Sequence, residues 1–401
     1  MEIKLIKPFY KINKLYFFRA LLIILFILVF FFSKFPLFLK GLHLPDVYPF
    51  LDLKGRLAHI QANRLGFDTY SIRNPFDPLG RINNKPSISL IFSITGLNVN
   101  DAIWLGNILI SFFLLQTISL LRETKLIFLI LGGLCIFNPN ILFAIERCND
   151  DIIVFLFCFL VPYLISKNYI FNSIAIFIVW FLTALKYYPI VLNLFFISKN
   201  IPKLKKYLFL IVGLNISWLI FSFKEILFIK KRLPNSDANL YSFSLEDLFE
   251  FANTPYILSI CLFLISIFFG YSFLKSEKEV ILKRLSKVNE LDKRYFILGT
   301  TMLTFCYLVS FNWSYRLIHS IFLLPIILNL LSNTNLKSLK FRYERFLYLI
   351  IISLVFSNWA SIISMELVLK LKIVFNFLFF STSSAFGIFI FQDLNLKKCK
   401  I

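Results

Sequence analysis

Charged side chains interrupt the apolar runs of this 401-residue chain at a few positions where a charge is costly. These positions lie near the ends of short apolar runs and are Glu146, Arg147, Asp150, Asp151, Lys186 and Arg316. Ionisable groups at membrane depth usually face a cavity and act there, because hydrocarbon does not solvate them. Three cations beside several carboxylates predict a pocket that binds an anion and accepts a proton.

A polar stretch from Asp46 to Pro86 is the second source of candidate chemistry. Its acidic residues are Asp46, Asp52, Asp68 and Asp77, and its basic residues include Arg56, Arg64, Arg73, Arg81 and Lys85. A loop of this length between apolar segments usually has a function. We expect it to cover the pocket from the water side and to supply one carboxylate base. Asp52 is the first choice for that base, with Asp46, Asp68 and Asp77 as alternatives.

This mixture of charges suits the transfer of a sugar from a lipid phosphate. The leaving phosphate is already a stable anion, so it needs cations and no general acid. Arg147 and Arg316 would hold it in bidentate fashion, and Lys186 would act as a point charge. The acceptor hydroxyl needs a base, which typically contributes a hundredfold to ten-thousandfold. In inverting sugar chemistry that base acts on the face opposite the leaving group.

The three histidines and six cysteines indicate neither a metal site nor a cofactor. His43, His59 and His319 have no carboxylate or second histidine at ligand spacing. The cysteines are scattered, and several lie inside apolar runs, so we interpret them as small buried hydrophobes. His59 follows Asp52 by about two helical turns and is a candidate to line the same pocket.

Each candidate residue also has a purely structural interpretation. The Glu146–Asp151 run would serve equally well as an ion-pair network between two helices. Lys186, which is followed by two tyrosines, would snorkel to the membrane interface. Arg316 and Asp52 would cap helix ends. Their convergence on one pocket is what favours a functional interpretation.

The composition requires a membrane to position these residues. Hydrophobic residues make up 58% of the chain and aromatic residues 18%, and the mean hydropathy is +0.77. A soluble domain is closer to half apolar. Lys and Arg number 43 against 22 Asp and Glu, but the basic residues lie mostly in short gaps between apolar runs. This is the positive-inside pattern of cytoplasmic loops, and it disfavours nucleic acid as a partner.

The apolar runs predict an all-α polytopic membrane protein. At about twenty residues per crossing, we expect helices at 16–38, 101–121, 148–166, 206–223, 255–275, 294–311, 317–332, 346–361 and 371–391, with short runs at 125–138, 169–185 and 187–198. The total is about twelve crossings in one integral domain, 1–401, with both ends cytoplasmic. The first external loop spans 40–100, residues 224–254 form another, and the charged segment 275–294 is a cytoplasmic helix.

Short runs are expected to border the site. A run of about twelve residues rises only about 18 Å, whereas the hydrocarbon core is about 30 Å thick. Such re-entrant segments leave polar backbone part-way through the membrane, which is tolerated where a cavity receives it. This predicts that the residues at the ends of the short runs face the pocket.

Several motifs resemble a bacterial branch of glycosyltransferase family 87, which has the GT-C membrane fold. In the first loop the similar segments are Asp52-Leu53-Lys54, Gly66-Phe67-Asp68-Thr69-Tyr70, Asn74-Pro75-Phe76-Asp77-Pro78-Leu79-Gly80-Arg81 and Asn84-Lys85-Pro86. The Glu146–Asp151 run is similar to the family's E-R-G-N-x-D, Lys186–Pro189 to its K-x-Y-P, and Ser314–Arg316 to its D-Y-R. Departures are Thr69 for proline, Lys85 for tyrosine, Cys148 for glycine and Ser314 for aspartate.

The resemblance implies a hexosyltransferase that uses a polyprenyl-phosphate sugar, usually mannose. It implies metal-independent, inverting transfer outside the cytoplasm, in the cell (inner) membrane, to a glycolipid or polysaccharide acceptor. Asp52 matches the family's catalytic aspartate, and Arg147, Lys186 and Arg316 would bind the donor phosphate. The implied substrate pocket comprises Asp68, Tyr70, Asp77, Arg81, Glu146, Asn149, Asp151, Tyr188 and Tyr315.

Other classes of membrane protein fit the pattern less well. The main alternative is a polytopic transporter or a flippase of lipid-linked sugars, but such proteins more often show two related halves. A polysaccharide polymerase or ligase would place its large external loop late in the chain. A scaffold without catalytic activity leaves the intramembrane charges least explained.

Overall fold

A computed structural model shows that the chain is built almost entirely from helices. It describes residues 14–32, 49–68, 70, 72–82, 87–165, 168–196, 204–230, 242–245, 247–248, 255–309, 312–332, 342–360 and 366–396. The α-helices are α1 Lys14–Phe32, α2 Leu51–Arg64, α3 Ala102–Ser119, α4 Leu126–Ile136, α5 Pro139–Arg147, α6 Asp150–Leu164, α7 Tyr169–Lys186, α8 Leu204–Lys230, α9 Tyr256–Lys275, α10 Lys278–Leu285, α11 Glu290–Val309, α12 Leu324–Ser332, α13 Arg342–Trp359 and α14 Glu366–Leu396.

Short elements of other kinds connect these helices. The 3₁₀ helices are Ser87–Thr95, Val99–Asp101, Tyr188–Phe196 and Ser314–Leu323, and the strands are β1 Ser242–Phe243 and β2 Asn312–Trp313. The strands pair antiparallel, with Ser242 opposite Trp313 and Phe243 opposite Asn312. The pairing involves two residues of each segment, and the all-α prediction is confirmed for the described part of the chain.

Three helical segments in the described part of the chain are long and apolar enough to cross a membrane. They are Val99–Ser119, Tyr256–Lys275 and Leu367–Leu394. A fourth arises if α4 and α5, which are bent by 42° relative to each other, form one broken span or re-entrant loop. By length and composition the described segments therefore support three or four crossings, and the expected total of about twelve stays a prediction.

The helices follow the predicted apolar runs closely, with two types of difference. The predicted runs 187–198 and 317–332 begin as 3₁₀ helices, and the second continues as α12. Helices α2 and α5 were not predicted from apolar runs, because both are short and α2 is polar on average. The end of the first predicted run, 33–38, lies outside the described residues.

Large apolar side chains remain exposed on the outer helices. Phe209 and Phe221 of α8 are 82% and 88% exposed, and Phe268 of α9 is 65% exposed. Extended apolar surfaces of this kind mark contact with a membrane or a partner. By contrast, α14 packs against α9, α11 and α13, and 72% of its spanning window is buried. The arrangement is consistent with a helical bundle in lipid.

Helix α2 forms because it docks, since a 14-residue helix is marginal in water by itself. Leu53, Leu57 and Ile60 recur on one face and are buried. Asp52 in the first turn and Arg64 in the last complement the helix dipole. The ring of Phe50, which precedes the helix, packs against Gly106 of α3 so closely that a Cβ there would lie 2.6 Å from it.

Asparagine caps break the chain around α5. The Asn138 side chain accepts hydrogen bonds from the N–H groups of Asn140 and Ile141, at 3.0 and 3.1 Å. Pro139 occupies the first helical turn, where its missing N–H costs nothing. The Asn149 side chain caps α6 by accepting from the N–H of Asp151 at 3.0 Å. These caps place the Glu146–Asp151 run at a junction between helices.

At the far end of α6, three consecutive residues of α11 join separate elements. Asp292 accepts from Arg122 at 2.5 and 3.0 Å, and Lys293 pairs with Asp393 of α14 at 2.7 Å. Arg294 donates to the carbonyls of Pro162 and Ile165 at 3.3 and 2.8 Å. We call these contacts the Asp292–Arg294 cluster; it fixes α11 against the ends of its neighbours.

Candidate functional site

Asp52 is held rigidly by side chains that lie far from it in the sequence. Its carboxylate is 7% exposed and accepts from Arg147 through two hydrogen bonds, Nη2 to Oδ1 at 2.7 Å and Nε to Oδ2 at 3.0 Å. The Asn149 amide donates to Oδ2 at 2.6 Å. Arg81 Nη1 lies 3.7 Å from Oδ1. The N-cap position of α2 is occupied by Phe50, and Asp52 lies in the first turn of the helix.

The rest of α2 is bound to the same helix junction. Arg56 donates to Asp150 with Nη2–Oδ2 and Nε–Oδ1 distances of 2.6 and 3.4 Å, and both side chains are buried. The backbone N–H of Phe50 donates to the carbonyl of Glu146 at 2.8 Å. The polar loop therefore docks onto the Glu146–Asp151 run, as the sequence analysis expected.

The second half of the loop reaches α2 through Arg81. Its Nε lies 3.1 and 3.0 Å from the two carboxylate oxygens of Asp77, and its Nη2 donates to the carbonyl of Leu51 at 3.1 Å. Gly55 makes room for this guanidinium, since a Cβ at that position would lie 2.2 Å from Arg81 Nη2. Asp77 is buried. Arg81 thus links Asp77 to Asp52, and the place of both residues in a substrate pocket stays a prediction.

Other predicted loop residues have local roles in the structure. Asp68 is exposed and accepts a hydrogen bond from the backbone N–H of Tyr70 at 3.0 Å. The place of Asp68 and Tyr70 in a substrate pocket stays a prediction. Asp46, an alternative base, lies outside the described residues. His59 is buried and its Nδ1 lies 3.1 Å from the amide of Asn74, so it fixes the loop to α2.

A second polar cluster surrounds Asp151. Its Oδ2 lies 3.3 Å from Lys186 Nζ, and its Oδ1 lies 2.5 Å from the Tyr188 hydroxyl. The same hydroxyl is 2.8 Å from Nε2 of His319. The Arg316 guanidinium lies over the Tyr188 ring, 5.0 Å from its centre. We call these side chains the Asp151 cluster, and Asp52 with its ligands the Asp52 cluster.

The hydrogen-bond directions in the Asp151 cluster follow from the single proton of Tyr188. The short distance to an ionised carboxylate assigns that proton to the Asp151 bond. His319 therefore donates from Nε2–H to the tyrosine oxygen, and its Nδ1 is the acceptor nitrogen. The His319 ring is stacked near Phe155 and Phe322 and is buried. The chain of donors ends at Asp151, which also accepts from Lys186.

The Glu146–Asp151 run joins the two clusters. Arg147 and Asn149 point to Asp52, whereas Asp151 points to Lys186 and Tyr188. The three predicted phosphate ligands accordingly fall into two groups, Arg147 in the Asp52 cluster and Lys186 with Arg316 in the Asp151 cluster. Arg147 forms an ion pair with Asp52, and Asp151 forms one with Lys186. Such pairs are expected of a structural network as well as of a functional site.

Backbone strain is concentrated at these clusters. Among the described residues, the non-glycine positions with positive φ are Phe50 (φ 61°), Cys148 (φ 44°) and Tyr187 (φ 61°). Phe50 lies two residues before Asp52, Cys148 follows Arg147, and Tyr187 follows Lys186. Such conformations cost about 1–3 kcal/mol each and cluster at functional sites. Cys148 lies directly after the last residue of α5, in the left-handed region that favours glycine.

Sequence reasoning missed three contributors, and two of them had a readable signal. Arg56 follows Asp52 by four residues, so both lie on one face of a helix. His319 follows Arg316 by three residues, which is one turn of a 3₁₀ helix. Asn74 offered no such signal.

Glu146 and Tyr315 are two further residues of the predicted substrate pocket. Glu146 is 4% exposed at the end of α5. Tyr315 lies in the 3₁₀ helix Ser314–Leu323, and only its backbone is described. Within the described part of the chain, no three His, Cys, Asp or Glu side chains are grouped so that they could hold a metal ion.

Outside the membrane-spanning segments, Lys54 follows Asp52 along α2. Partial burial lowers the pKa of its ammonium group below the usual value. A partly buried lysine bears its charge at a cost.

No protein-family model, curated protein or solved structure matches this chain. The resemblance to glycosyltransferase family 87 stays a prediction, and the geometry of the two clusters is what any assignment of function has to explain.

Proposed function

We propose that this chain is a membrane glycosyltransferase that moves a hexose from a polyprenyl-phosphate donor to an acceptor hydroxyl. Asp52 is the base, and transfer takes place with inversion on the extracytoplasmic side of the cell (inner) membrane. The observation that carries the proposal is the buried Asp52 carboxylate, which Arg147 and Asn149 fix beside a second cationic cluster. The GT-C fold and about twelve crossings belong to the same proposal.

Strain favours a catalytic role over an inert ion-pair network. A buried ion pair is weak evidence for stability, because desolvation offsets much of its attraction. An ion-pair network whose only role was to join helices would not need the three non-glycine residues with positive φ that lie next to it. Strained backbone persists where the surroundings fix it, and it orients functional side chains. The positions of Phe50, Cys148 and Tyr187 therefore support a site.

The fixed orientation of Asp52 suits a base that acts late in the displacement. Arg147 and Asn149 hold the carboxylate in one orientation, and the proton moves to it as the acceptor hydroxyl bonds to the sugar. Because Arg147 and Asn149 already hold the carboxylate, no reorganisation is needed at that moment. Asn149 and Arg147 are then positioning residues in addition to their electrostatic role.

The Asp151 cluster suits the donor phosphate. Lys186 and Arg316 are brought together around Tyr188, and Asp151 sets their positions. Cations placed where charge develops on the leaving group lower the barrier without any proton transfer. The donor would thus enter from the lipid side, and a glycolipid or polysaccharide acceptor would approach Asp52 from the loop. No cofactor is needed for this reaction.

The Asp52→Asn variant tests the proposal. Membranes with the protein are incubated with radiolabelled polyprenyl-phosphate mannose and a native lipid extract, and the labelled product is identified. The variant should lose at least about a hundredfold in transfer, as expected for a lost general base, while the amide still accepts from Arg147. Glu123→Gln, an exposed residue between α3 and α4, is the matched control.

Two results would overturn the proposal. One is near-normal transfer by Asp52→Asn, and the other is the absence of product with every labelled polyprenyl-phosphate hexose. Label that crosses the membrane without forming a covalent product would indicate a flippase or a transporter instead.

Neutralising the Asp151 cluster should act chiefly on the donor. Lys186→Met and Arg316→Met are expected to raise the KM for the polyprenyl-phosphate sugar or to lower turnover, since each removes a cation from the phosphate. Unchanged donor kinetics in both variants would exclude these residues from the phosphate site. Measurement of the acceptor KM in the same membranes provides the internal control.

A further inference from the structure

Glu146 differs from its neighbours in having a buried oxygen without a partner. Its side chain is 4% exposed, and Oε1 has no hydrogen-bond partner among the described residues. Arg147 and Asn149 next to it bind Asp52, and Asp150 and Asp151 bind Arg56 and Lys186. A buried acceptor left unsatisfied costs about 1–3 kcal/mol. Such a group needs an explanation beyond the stability of the fold.

The position of Glu146 is fixed relative to the predicted base. Its own backbone carbonyl accepts from the N–H of Phe50 at 2.8 Å, two residues before Asp52. The next side chain, Arg147, turns to Asp52 and forms two hydrogen bonds with it. Glu146 is therefore held at the junction that carries Asp52, without being a ligand of Asp52.

We propose that Glu146 accepts a hydrogen bond from a sugar hydroxyl bound beside Asp52 and so selects the sugar. The inference rests on the proposed function and adds a specificity residue to it. A hydroxyl is the chemistry that fits, because it donates a proton without adding charge. A cationic ligand would meet Arg147, which is within electrostatic range of Glu146, and Arg81, whose Nη1 lies 3.7 Å from Asp52 Oδ1.

Recognition of this type discriminates strongly. A site built to hydrogen-bond a substrate hydroxyl rejects analogues that lack it by about 10⁴–10⁵-fold, because the polar group is then left unpaired. Either the hexose of the donor or a sugar of the acceptor offers such a hydroxyl. Both sources share one chemistry, and the kinetics distinguish them.

The decisive variants are Glu146→Met and Glu146→Gln. Methionine has a similar length and removes the unsatisfied oxygen, so we expect an unchanged or higher Tm together with at least a tenfold loss of transfer. Glutamine keeps an acceptor oxygen and should retain most activity. If the KM for polyprenyl-phosphate mannose rises, the hydroxyl belongs to the donor. If the KM for the lipid acceptor rises, it belongs to the acceptor.

Glu344→Met is the matched control for these variants. Glu344 is also 4% exposed, but it lies in the first turn of α13, and the Tyr343 hydroxyl is 3.5 Å from its Oε1. Removing a partnered buried carboxyl should lower the Tm and leave both KM values unchanged. The opposite signs of the two effects separate a ligand-binding oxygen from a structural one.

A binding measurement keeps this inference distinct from the proposed reaction. In detergent, methyl α-mannoside should raise the Tm of the wild type and of Asp52→Asn, but not that of Glu146→Met. This result would support Glu146 even if no transfer were found. Wild-type kinetics in Glu146→Met, an equal thermal shift in that variant, or no shift in the wild type would each overturn the inference.

Discussion

The two ends of α6 place charged side chains in contrasting ways. At its first turn Asp150 and Asp151 belong to a region with left-handed backbone and an unsatisfied buried oxygen. At its last turn, about 22 Å away for 15 residues at about 1.5 Å each, carbonyls accept from Arg294 in the Asp292–Arg294 cluster. In the described chain, no non-glycine residue of that cluster has positive φ.

The difference favours one end as the place of the proposed chemistry. Both ends bury ion pairs, so buried charge alone does not distinguish a site from a structural contact. Strain and an unsatisfied acceptor occur together only at the Asp52 end, in the part of the chain that the structure describes. We infer that the Asp292–Arg294 cluster holds the helices in place, and that the Asp52 cluster needs this fixed arrangement for its function.

The largest expected effect is a loss of stability when the Lys293–Asp393 ion pair of the Asp292–Arg294 cluster is broken. Asp393→Leu leaves Lys293, whose side chain is fully buried, without its carboxylate. Removing one partner of a buried pair costs about 3–5 kcal/mol, which should appear as a lower Tm in detergent. Lys293→Met combined with Asp393→Leu should restore most of the loss. A double variant as unstable as the single one would contradict the assignment of this pair as the cause.

The next effect separates activity from stability at the site end. Gly55→Ala would push a methyl group into the guanidinium of Arg81, whose nearest atom would be 2.2 Å away. Arg81 would have to move away from Asp77 and from the carbonyl of Leu51, and the gain of up to about 1 kcal/mol from alanine in the helix offsets part of that cost. Transfer should nevertheless fall by about tenfold to a hundredfold, because a shift of about 1 Å at a site has that effect.

Gly213→Ala in α8 is the control for this substitution, since a Cβ there meets no atom within 4 Å. It should raise the Tm slightly and leave transfer unchanged. Normal transfer by Gly55→Ala would show that Arg81 does not contribute to the site.

A smaller effect tests the strain at Cys148. The residue is buried with φ 44° and ψ 57°, a region that costs an L-residue about 1–2 kcal/mol. Cys148→Gly and Cys148→Ala both lose the thiol, but only glycine relieves the strain. The free energy of unfolding of the Cys148→Gly variant should therefore be about 1 kcal/mol higher than that of the Cys148→Ala variant. A helix interior would give the reverse order, and such a result would argue against the left-handed turn.

The smallest expected effect concerns the solvent-exposed Glu290, which lies near Arg294 of the Asp292–Arg294 cluster. Glu290 is 52% exposed and lies 3.5 Å from Arg294. Exposed pairs contribute about 0–1 kcal/mol, and Arg294 keeps its two carbonyl acceptors. Glu290→Gln should change the free energy of unfolding by less than about 0.5 kcal/mol. A larger loss would show that the carboxylate, and not the carbonyls, positions Arg294.

The comparison also shows how far the sequence could predict the structure. Apolar runs located most of the helices, because burial in a membrane leaves a long continuous signal. They could not reveal α2, because its buried face is interrupted by Asp52 and Arg56, and the helix packs against α3, α5 and the 3₁₀ helices Ser87–Thr95 and Val99–Asp101. The charged run at 146–151 was identified as part of a site, because charge at membrane depth is costly.

The choice of partners was beyond sequence reasoning. Several cations were available to Asp52, and the one that pairs with it, Arg147, directly precedes the left-handed turn at Cys148. That turn is set by the packing around it, and cysteine gives no local hint of it. Asp52 as the base and the phosphate-binding role of Lys186 and Arg316 stay predictions for the experiments above.

The docking of α2 has a consequence for biosynthesis. Its ligands to Asp52 and Arg56 follow 94 to 97 residues later in the chain. At about 5–20 residues per second, the ribosome needs roughly 5 to 20 s to supply them. Until then α2, which is marginal as an isolated helix, can pack against the 3₁₀ helices Ser87–Thr95 and Val99–Asp101 and against α3, but without these ligands. Assembly of the site thus trails the emergence of its base, and the first loop is exposed to proteases and chaperones during the delay.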